Sequence, residues 1–216
     1  MGARHLGTRT RGGVTDRLRA PAASPEELAA LRTAAAMEHL AAETCREAAG
    51  LPFLPDAPGL PGPDALGNAD GDGGGTSTIA ALLTAAGGHH AEHAKAFDAA
   101  VERAGGAPGP GPRPEYAADV HRALTRARTP VDVIALALFL EDRAARTYTA
   151  ALGRTASPSL RRLYGSVAPV EAQHHAILLA VRARLTGSPG AGGAGITGAF
   201  QPTDGASPAP EGRTPR

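Results

Sequence analysis

The stretch Pro169-Val170-Glu171-Ala172-Gln173-His174-His175 decides the fold of this chain. Glu171 and His174 are three residues apart, so on a helix they lie on one face, a turn from each other. The same face continues in both directions, at alternating spacings of three and four, through the apolar residues Leu160, Tyr164, Val167, Leu178, Val181 and Leu185. A carboxylate and an imidazole therefore occupy core positions, where burial without a partner costs several kcal/mol. A metal ion is the simplest partner for both.

Helix start signals predict further helices ahead of this one. Ser24-Pro25-Glu26-Glu27 supplies a capping serine, a first-turn proline and a capping-box glutamate, and Thr129-Pro130-Val131-Asp132 repeats this arrangement. A third helical pattern covers about 76–105, and a shorter, weakly amphipathic pattern covers 115–127. We therefore expect four long helices and one short helix, joined by loops rich in glycine and proline.

The helix that carries Glu171 is expected to begin after Ser157-Pro158 and to end near Gly187. Pro169 lies inside this helix, where it removes a backbone hydrogen bond. We expect a kink at that point, which would divide the helix into segments 158–166 and 168–186.

Each long helix carries polar residues at the middle of an apolar stripe. Taken singly, a helix glutamate is usually solvated, and a buried histidine is more often a hydrogen-bonded core residue than a metal ligand. Their coincidence on four stripes favours a common metal site. The alternatives are a degenerate bundle with a water-filled polar centre, or a wrong helix phase. The predicted metal ligands are Glu38, His90, His93, Glu141, Glu171 and His174.

Four other polar or aromatic residues lie close to these positions in the sequence. Tyr148 and Tyr164 are each one heptad from a predicted glutamate ligand. Core packing is the default expectation for both, and a hydrogen bond to a ligand or a role in radical transfer is the alternative. His89 and His175 are adjacent to predicted ligands, and we expect both at the surface.

Composition limits the remaining classes of function. The 216 residues carry a net charge of +1, which gives no reason to expect a nucleic-acid partner, and a single cysteine, Cys45, cannot form an internal disulfide. No apolar run approaches the roughly 20 residues that cross a membrane, and no secretory signal is evident, so a cytoplasmic location is expected. We predict a disordered basic arm over 1–23, one helical domain over 24–186 and a disordered Gly/Pro/Ser-rich tail over 187–216.

The long helices also form an internal repeat. Residues 38–48 align with 141–151 through a glutamate, a threonine and three alanines. His90-Ala91-Glu92-His93 aligns with Glu171-Ala172-Gln173-His174. Each half of the domain therefore contributes one glutamate from its first long helix and a pair of polar residues, three positions apart, from its second.

This layout resembles the ferritin-like superfamily, and most of all its stand-alone bacterial ferritin-like domain proteins of the di-iron carboxylate type. In those bundles two helices each supply a glutamate, and the other two each supply a Glu-x-x-His pair. The resemblance covers about 24–186. It implies an all-α fold, a ferritin-like antiparallel four-helix bundle with long loops and disordered termini. It also implies two iron ions held by the six predicted ligands, and redox chemistry with O2 or peroxide of the ferroxidase or oxidase kind.

One predicted ligand departs from the family pattern. His90 stands where the family has a glutamate that bridges two metal ions. The three remaining carboxylates carry a charge of −3, against +4 for two divalent ions. A single iron ion, or zinc or manganese, therefore stays open, as does a metal-binding or purely structural bundle without turnover. A homodimer formed through a helix face is a further open alternative.

Overall fold

Five α-helices account for most of the chain that the computed structural model describes, which comprises residues 23–54, 57, 78–107, 109 and 113–187. Within those residues there is no β-strand, and no helix is long and apolar enough to cross a membrane. The predicted disordered arm and tail lie outside them, apart from residues 23 and 187, and stay predictions. The helices are α1 (Pro25–Ala49), α2 (Ile79–Arg103), α3 (Ala117–Arg126), α4 (Pro130–Arg154) and α5 (Pro158–Thr186).

The predicted start signals of α1 and α4 are confirmed. At the start of α1, the Ser24 hydroxyl accepts a hydrogen bond from the Glu27 N–H at 3.1 Å, and the Glu27 carboxylate accepts one from the Ser24 N–H at 3.0 Å. Thr129 and Asp132 form the same reciprocal pair at the start of α4. These bonds satisfy backbone donors that have no partner inside the helix, so the sequence sets where each helix begins.

Pro169 does not divide α5, which is one helix from Pro158 to Thr186. The expected division into segments 158–166 and 168–186 is therefore wrong. Gly165, whose carbonyl loses its helical partner to the proline, is exposed, and so is Pro169 itself. Water can hydrogen-bond that carbonyl, which reduces the cost of the missing bond.

The four long helices form two antiparallel hairpins, α1 with α2 and α4 with α5. Gly106, just after α2, lies against Leu28 at the start of α1, and Glu27 in the same turn contacts Thr155 at the end of α4. α1 is therefore antiparallel to both α2 and α4, so α2 and α4 run in the same direction. The segment between them, which includes α3, must cross the length of the bundle, about 37 Å for a helix of 25 residues. α3 packs against α1 and α4 on the way.

The buried apolar residues form two cores rather than one. One core includes Leu40, Leu83, Ile134 and Leu178, and the other includes Leu31, Phe97, Tyr148 and Tyr164. On every long helix, the change from one core to the other falls at the predicted metal ligands. The fold therefore places a polar layer between two apolar ones.

Glu27, in the first turn of α1, connects the α1–α2 hairpin to the α4–α5 hairpin. Its Oε1 accepts hydrogen bonds from the Thr155 hydroxyl at 2.6 Å and from the Ser157 N–H at 3.3 Å, in addition to its role in the cap of α1. The hydrogen bond from Thr155, followed by that from the Ser24 N–H, lowers the pKa of Glu27. The ionised carboxylate is therefore the form that stabilises this end of the bundle.

We expect the substitution Glu27→Ala to lower the free energy of unfolding by about 2 kcal/mol, because the carboxylate loses its hydrogen bonds from Ser24, Thr155 and Ser157 together. Glu26→Ala is the matched control, since Glu26 is exposed in the same turn and makes no hydrogen bond with the described residues. Its effect should stay within about 0.5 kcal/mol. Because the folded pKa of Glu27 is lowered, the difference between wild type and Glu27→Ala should be full at neutral pH and shrink as the pH falls through that pKa. Denaturant unfolding at several pH values measures this, and equal losses in the two variants would contradict the role of Glu27.

Candidate metal centre

The six predicted ligands meet in the polar layer between the two cores. Five of them are buried, with exposed fractions from 0% for Glu171 to 7% for His174, and His93 is partly exposed. The structure thus brings together all six residues that the sequence predicted as ligands, while their role as ligands stays a prediction. They come from all four long helices: Glu38 from α1, His90 and His93 from α2, Glu141 from α4, and Glu171 and His174 from α5.

Two overlapping groups of donor atoms make up the centre, and His90 and Glu171 belong to both. Glu38 and His93 complete one group, which we call the Glu38 half-site. Glu141 and His174 complete the other, the Glu141 half-site. Within each group the donor atoms all lie within 4.8 Å of one another. Metal bonds of about 2.0–2.2 Å place donors at most about 4.4 Å apart, so the spacing in each half-site is close to what an ion requires.

In the Glu38 half-site, the two histidines of α2 face two carboxylates. His93 Nδ1 lies 2.8 Å from Glu171 Oε1 and 3.6 Å from Glu38 Oε1. His90 Nδ1 lies 2.8 Å from Glu38 Oε2 and 3.7 Å from Glu171 Oε2. The Tyr148 hydroxyl donates a hydrogen bond to Glu38 Oε1. Both oxygens of Glu38 therefore already have a hydrogen-bond partner.

In the Glu141 half-site, His90 uses its other nitrogen. His90 Nε2 lies 3.3 Å from Glu141 Oε1, and His174 Nδ1 lies 3.4 Å from the same oxygen and 4.0 Å from Glu171 Oε2. The outer nitrogen of His174, Nε2, is 2.9 Å from His89 Nδ1, and the two rings meet edge to edge with an angle of 3° between their planes. His174 is thus held from outside with Nδ1 turned towards the carboxylates.

Several donor atoms of the centre are buried without any hydrogen-bond partner among the described residues. They are His93 Nδ1, Glu141 Oε2, Glu171 Oε1, Glu171 Oε2 and His174 Nδ1. His93 Nδ1 and Glu171 Oε1 are only 2.8 Å apart, yet their geometry is not that of a hydrogen bond. Each such atom costs about 1–3 kcal/mol, so this concentration of them favours a partner from outside the chain. A cation is one such partner.

The metal-free centre holds protons at neutral pH. Burial raises the pKa of Glu171 to about 8. Burial opposes the charged form of His93, but the Glu171 and Glu38 carboxylates outweigh it and raise the pKa of His93 to about 9. Burial also opposes charged His90, whose pKa the Glu141 and Glu38 carboxylates nevertheless raise well above its usual value. A metal ion must therefore displace protons when it binds.

The residues next to the ligands differ in what they contact. Tyr148 is buried and donates a hydrogen bond to Glu38. A hydrogen bond to a predicted ligand was the alternative to plain core packing that the sequence left open. Tyr164 packs in the apolar core, and its hydroxyl has no partner among the described residues. His175 is partly exposed.

The contact of His89 with His174 is the part of the centre that the sequence did not predict. His89 is exposed, as expected, but it also bonds to a predicted ligand. Its signal in the sequence is weak: it lies four residues before His93, on the flank of the α2 stripe. Whether that flank faces α5 depends on the rotation of one helix against the other.

The donor set consists of imidazole nitrogens and carboxylate oxygens, which suits iron, zinc and manganese. A thiolate ligand is excluded, because Cys45 lies in the neighbouring apolar core and burial raises its pKa to about 11. The arrangement is therefore compatible with binding a metal ion in either half-site, and its chemistry alone does not name the metal.

Comparison with known proteins agrees with the geometry. A family model described as a ferritin-like domain matches residues 26–184, a span that contains the four long helices, almost to their ends, and the whole centre. No curated protein and no solved structure gives a match. The family match covers well over half of the chain, and the expected all-α ferritin-like bundle is confirmed. The chain belongs to the ferritin-like domain family.

Proposed function

We propose that this centre binds divalent metal ions, iron first among them, and serves redox chemistry with O2 or peroxide, as a ferroxidase or small oxidase does. The observation that carries the proposal is the set of unpartnered donor atoms buried between the two apolar cores. Membership of the ferritin-like family supports metal binding. The redox reaction is what the resemblance to di-iron carboxylate proteins implies, since the donor set does not name the metal.

Iron held in the centre would supply the electrons that reduce O2 or peroxide. The role of the protein is to hold the donor atoms in place. Glu171 lies between the half-sites and turns Oε1 towards His93 and Oε2 towards His174, so it is the carboxylate placed to contact an ion in each. Because the donors come from four packed helices rather than from loops, the bundle positions them before an ion binds.

One observation favours a second candidate, a metal-binding or structural centre without turnover that takes one ion or zinc. His90 lies 2.8 Å from Glu38 and 3.3 Å from Glu141 and hydrogen-bonds to both. An imidazole of the chain therefore links two carboxylates. A glutamate at this position would instead add a fourth carboxylate to the centre.

Metal binding should depend on Glu171. Adding Fe2+ without oxygen, or Zn2+, to the metal-free protein is expected to raise its Tm, because ions bind the folded chain preferentially. Glu171→Gln keeps the size of the side chain but removes its charge, and should weaken binding by more than about tenfold, since a neutral amide is a much weaker ligand for a divalent ion than a carboxylate. Glu47→Gln, an exposed position on α1, is the matched control and should bind as wild type. A wild-type Tm that no ion changes would contradict metal binding.

Turnover separates the two candidates. We expect the protein to oxidise Fe2+ faster than buffer does when O2 or peroxide is added, followed by iron absorbance and oxygen consumption. His90→Ala should lose most of this rate, while His90→Glu should retain or improve iron binding because it supplies the missing carboxylate. Iron that binds without faster oxidation would favour the centre without turnover.

Metal affinity should rise with pH. Glu171 and His93 hold protons at pH 7, because the pKa values of these groups are raised to about 8 and about 9. Raising the pH through these values removes the competing protons, so binding becomes tighter between pH 6 and pH 9. Calorimetry at pH 7, in two buffers of different ionisation enthalpy, should register proton release on binding. Affinity that does not change with pH, without proton release, would place the ion outside this centre.

A further inference from the structure

The two half-sites are not equivalent. In the Glu141 half-site, three residues each present a buried atom without a partner among the described residues: Glu141 Oε2, Glu171 Oε2 and His174 Nδ1. In the Glu38 half-site, only His93 Nδ1 and Glu171 Oε1 are buried without a partner among the described residues. An ion would therefore find unpaired donor atoms on three residues in the Glu141 half-site and on two in the Glu38 half-site.

Glu38 accounts for the difference. Its exposed fraction is 1%, and both of its oxygens accept hydrogen bonds, one from the Tyr148 hydroxyl and the other from His90 Nδ1. An ion in the Glu38 half-site must displace or share one of these bonds. A hydrogen bond to a charged group is worth roughly tenfold to hundredfold in an equilibrium constant. Glu141 has only Oε1 engaged in this way and keeps Oε2 free.

Charge makes the second ion bind more weakly whichever half-site is filled first, because each half-site has one carboxylate of its own and both share Glu171. The carboxylates of Glu141 and Glu171 together balance one divalent ion. A second ion would have to share Glu171 and gains only Glu38, because His90 adds no negative charge at the shared position. The second ion would therefore enter a centre with less negative charge than it needs.

We infer that the centre loads in order, with the first ion in the Glu141 half-site and the second, more weakly, in the Glu38 half-site. Tyr148 is the positioning residue that sets this order through its bond to Glu38. The inference rests on the proposed metal binding, and adds to it a sequence of occupation and the residue responsible for it.

The order can be tested with Co2+, titrated without oxygen into the metal-free, full-length protein and followed by calorimetry and visible absorbance. Wild type should show one tight and one weaker step. His174→Ala should remove the tight step, and His93→Ala should keep it while removing the weaker one. Two equal steps, or a tight step that survives His174→Ala and disappears in His93→Ala, would overturn the inference.

The role of Tyr148 is tested by a conservative pair. Tyr148→Phe removes the hydrogen bond to Glu38 and should strengthen the weaker step by roughly tenfold, leaving the tight step unchanged. Tyr164→Phe is the matched control, because its ring lies in the same core, 5.9 Å from that of Tyr148, and its hydroxyl has no described partner. It should bind as wild type. The same change in both variants, or no change in Tyr148→Phe, would overturn the role of Tyr148.

Failure of the inference is distinguishable from failure of the proposed function. If neither Co2+ nor Fe2+ binds to wild type, metal binding itself is wrong and the inference fails with it. If ions bind but follow another order, metal binding stands and only the order is overturned.

Discussion

The structure depends on one constraint: three carboxylates, Glu38, Glu141 and Glu171, are buried between two apolar cores. Water cannot solvate them there, and apolar neighbours offer no compensation. The chain meets part of this cost with imidazoles and one tyrosine hydroxyl in the same layer. The part that it leaves unmet, concentrated on Glu171 and on the inward nitrogens of His93 and His174, is what an ion would satisfy.

The bundle serves this constraint through the register of its helices. Each long helix passes from one apolar core to the other at its ligands, so a shift of one helix along its axis would place a carboxylate inside an apolar core. The capping boxes at Ser24 and Thr129 set where α1 and α4 begin. Glu27 then ties the start of α1 to the turn between α4 and α5. Local hydrogen bonds at the helix ends thus help to fix the axial register of the helices, which brings the ligand positions to the same level.

His90 gives the centre its particular character. Its two nitrogens hydrogen-bond to Glu38 and Glu141, which lie on different helices. An imidazole between two carboxylates reduces their repulsion, the more so because its pKa is raised well above the usual value. The same bonds occupy acceptor atoms that an ion would use, and they do so unequally, since Tyr148 adds its bond only to Glu38. The hydrogen bonds that stabilise the bundle are therefore also the ones that would make the two half-sites bind ions with different affinity.

The sequence by itself determined the helices, their inward faces and the six polar residues on those faces, because helical periodicity and capping depend on residues a few positions apart. It did not determine that α5 would continue through Pro169, which depended on exposure of that side of the helix to solvent. Only the tertiary structure decided that His89 reaches His174 and that Tyr148 reaches Glu38, pairs that are 85 and 110 residues apart. It also decided which donor atoms stay unpaired. These contacts depend on the rotation and height of one helix against another, which packing sets and which no local pattern encodes.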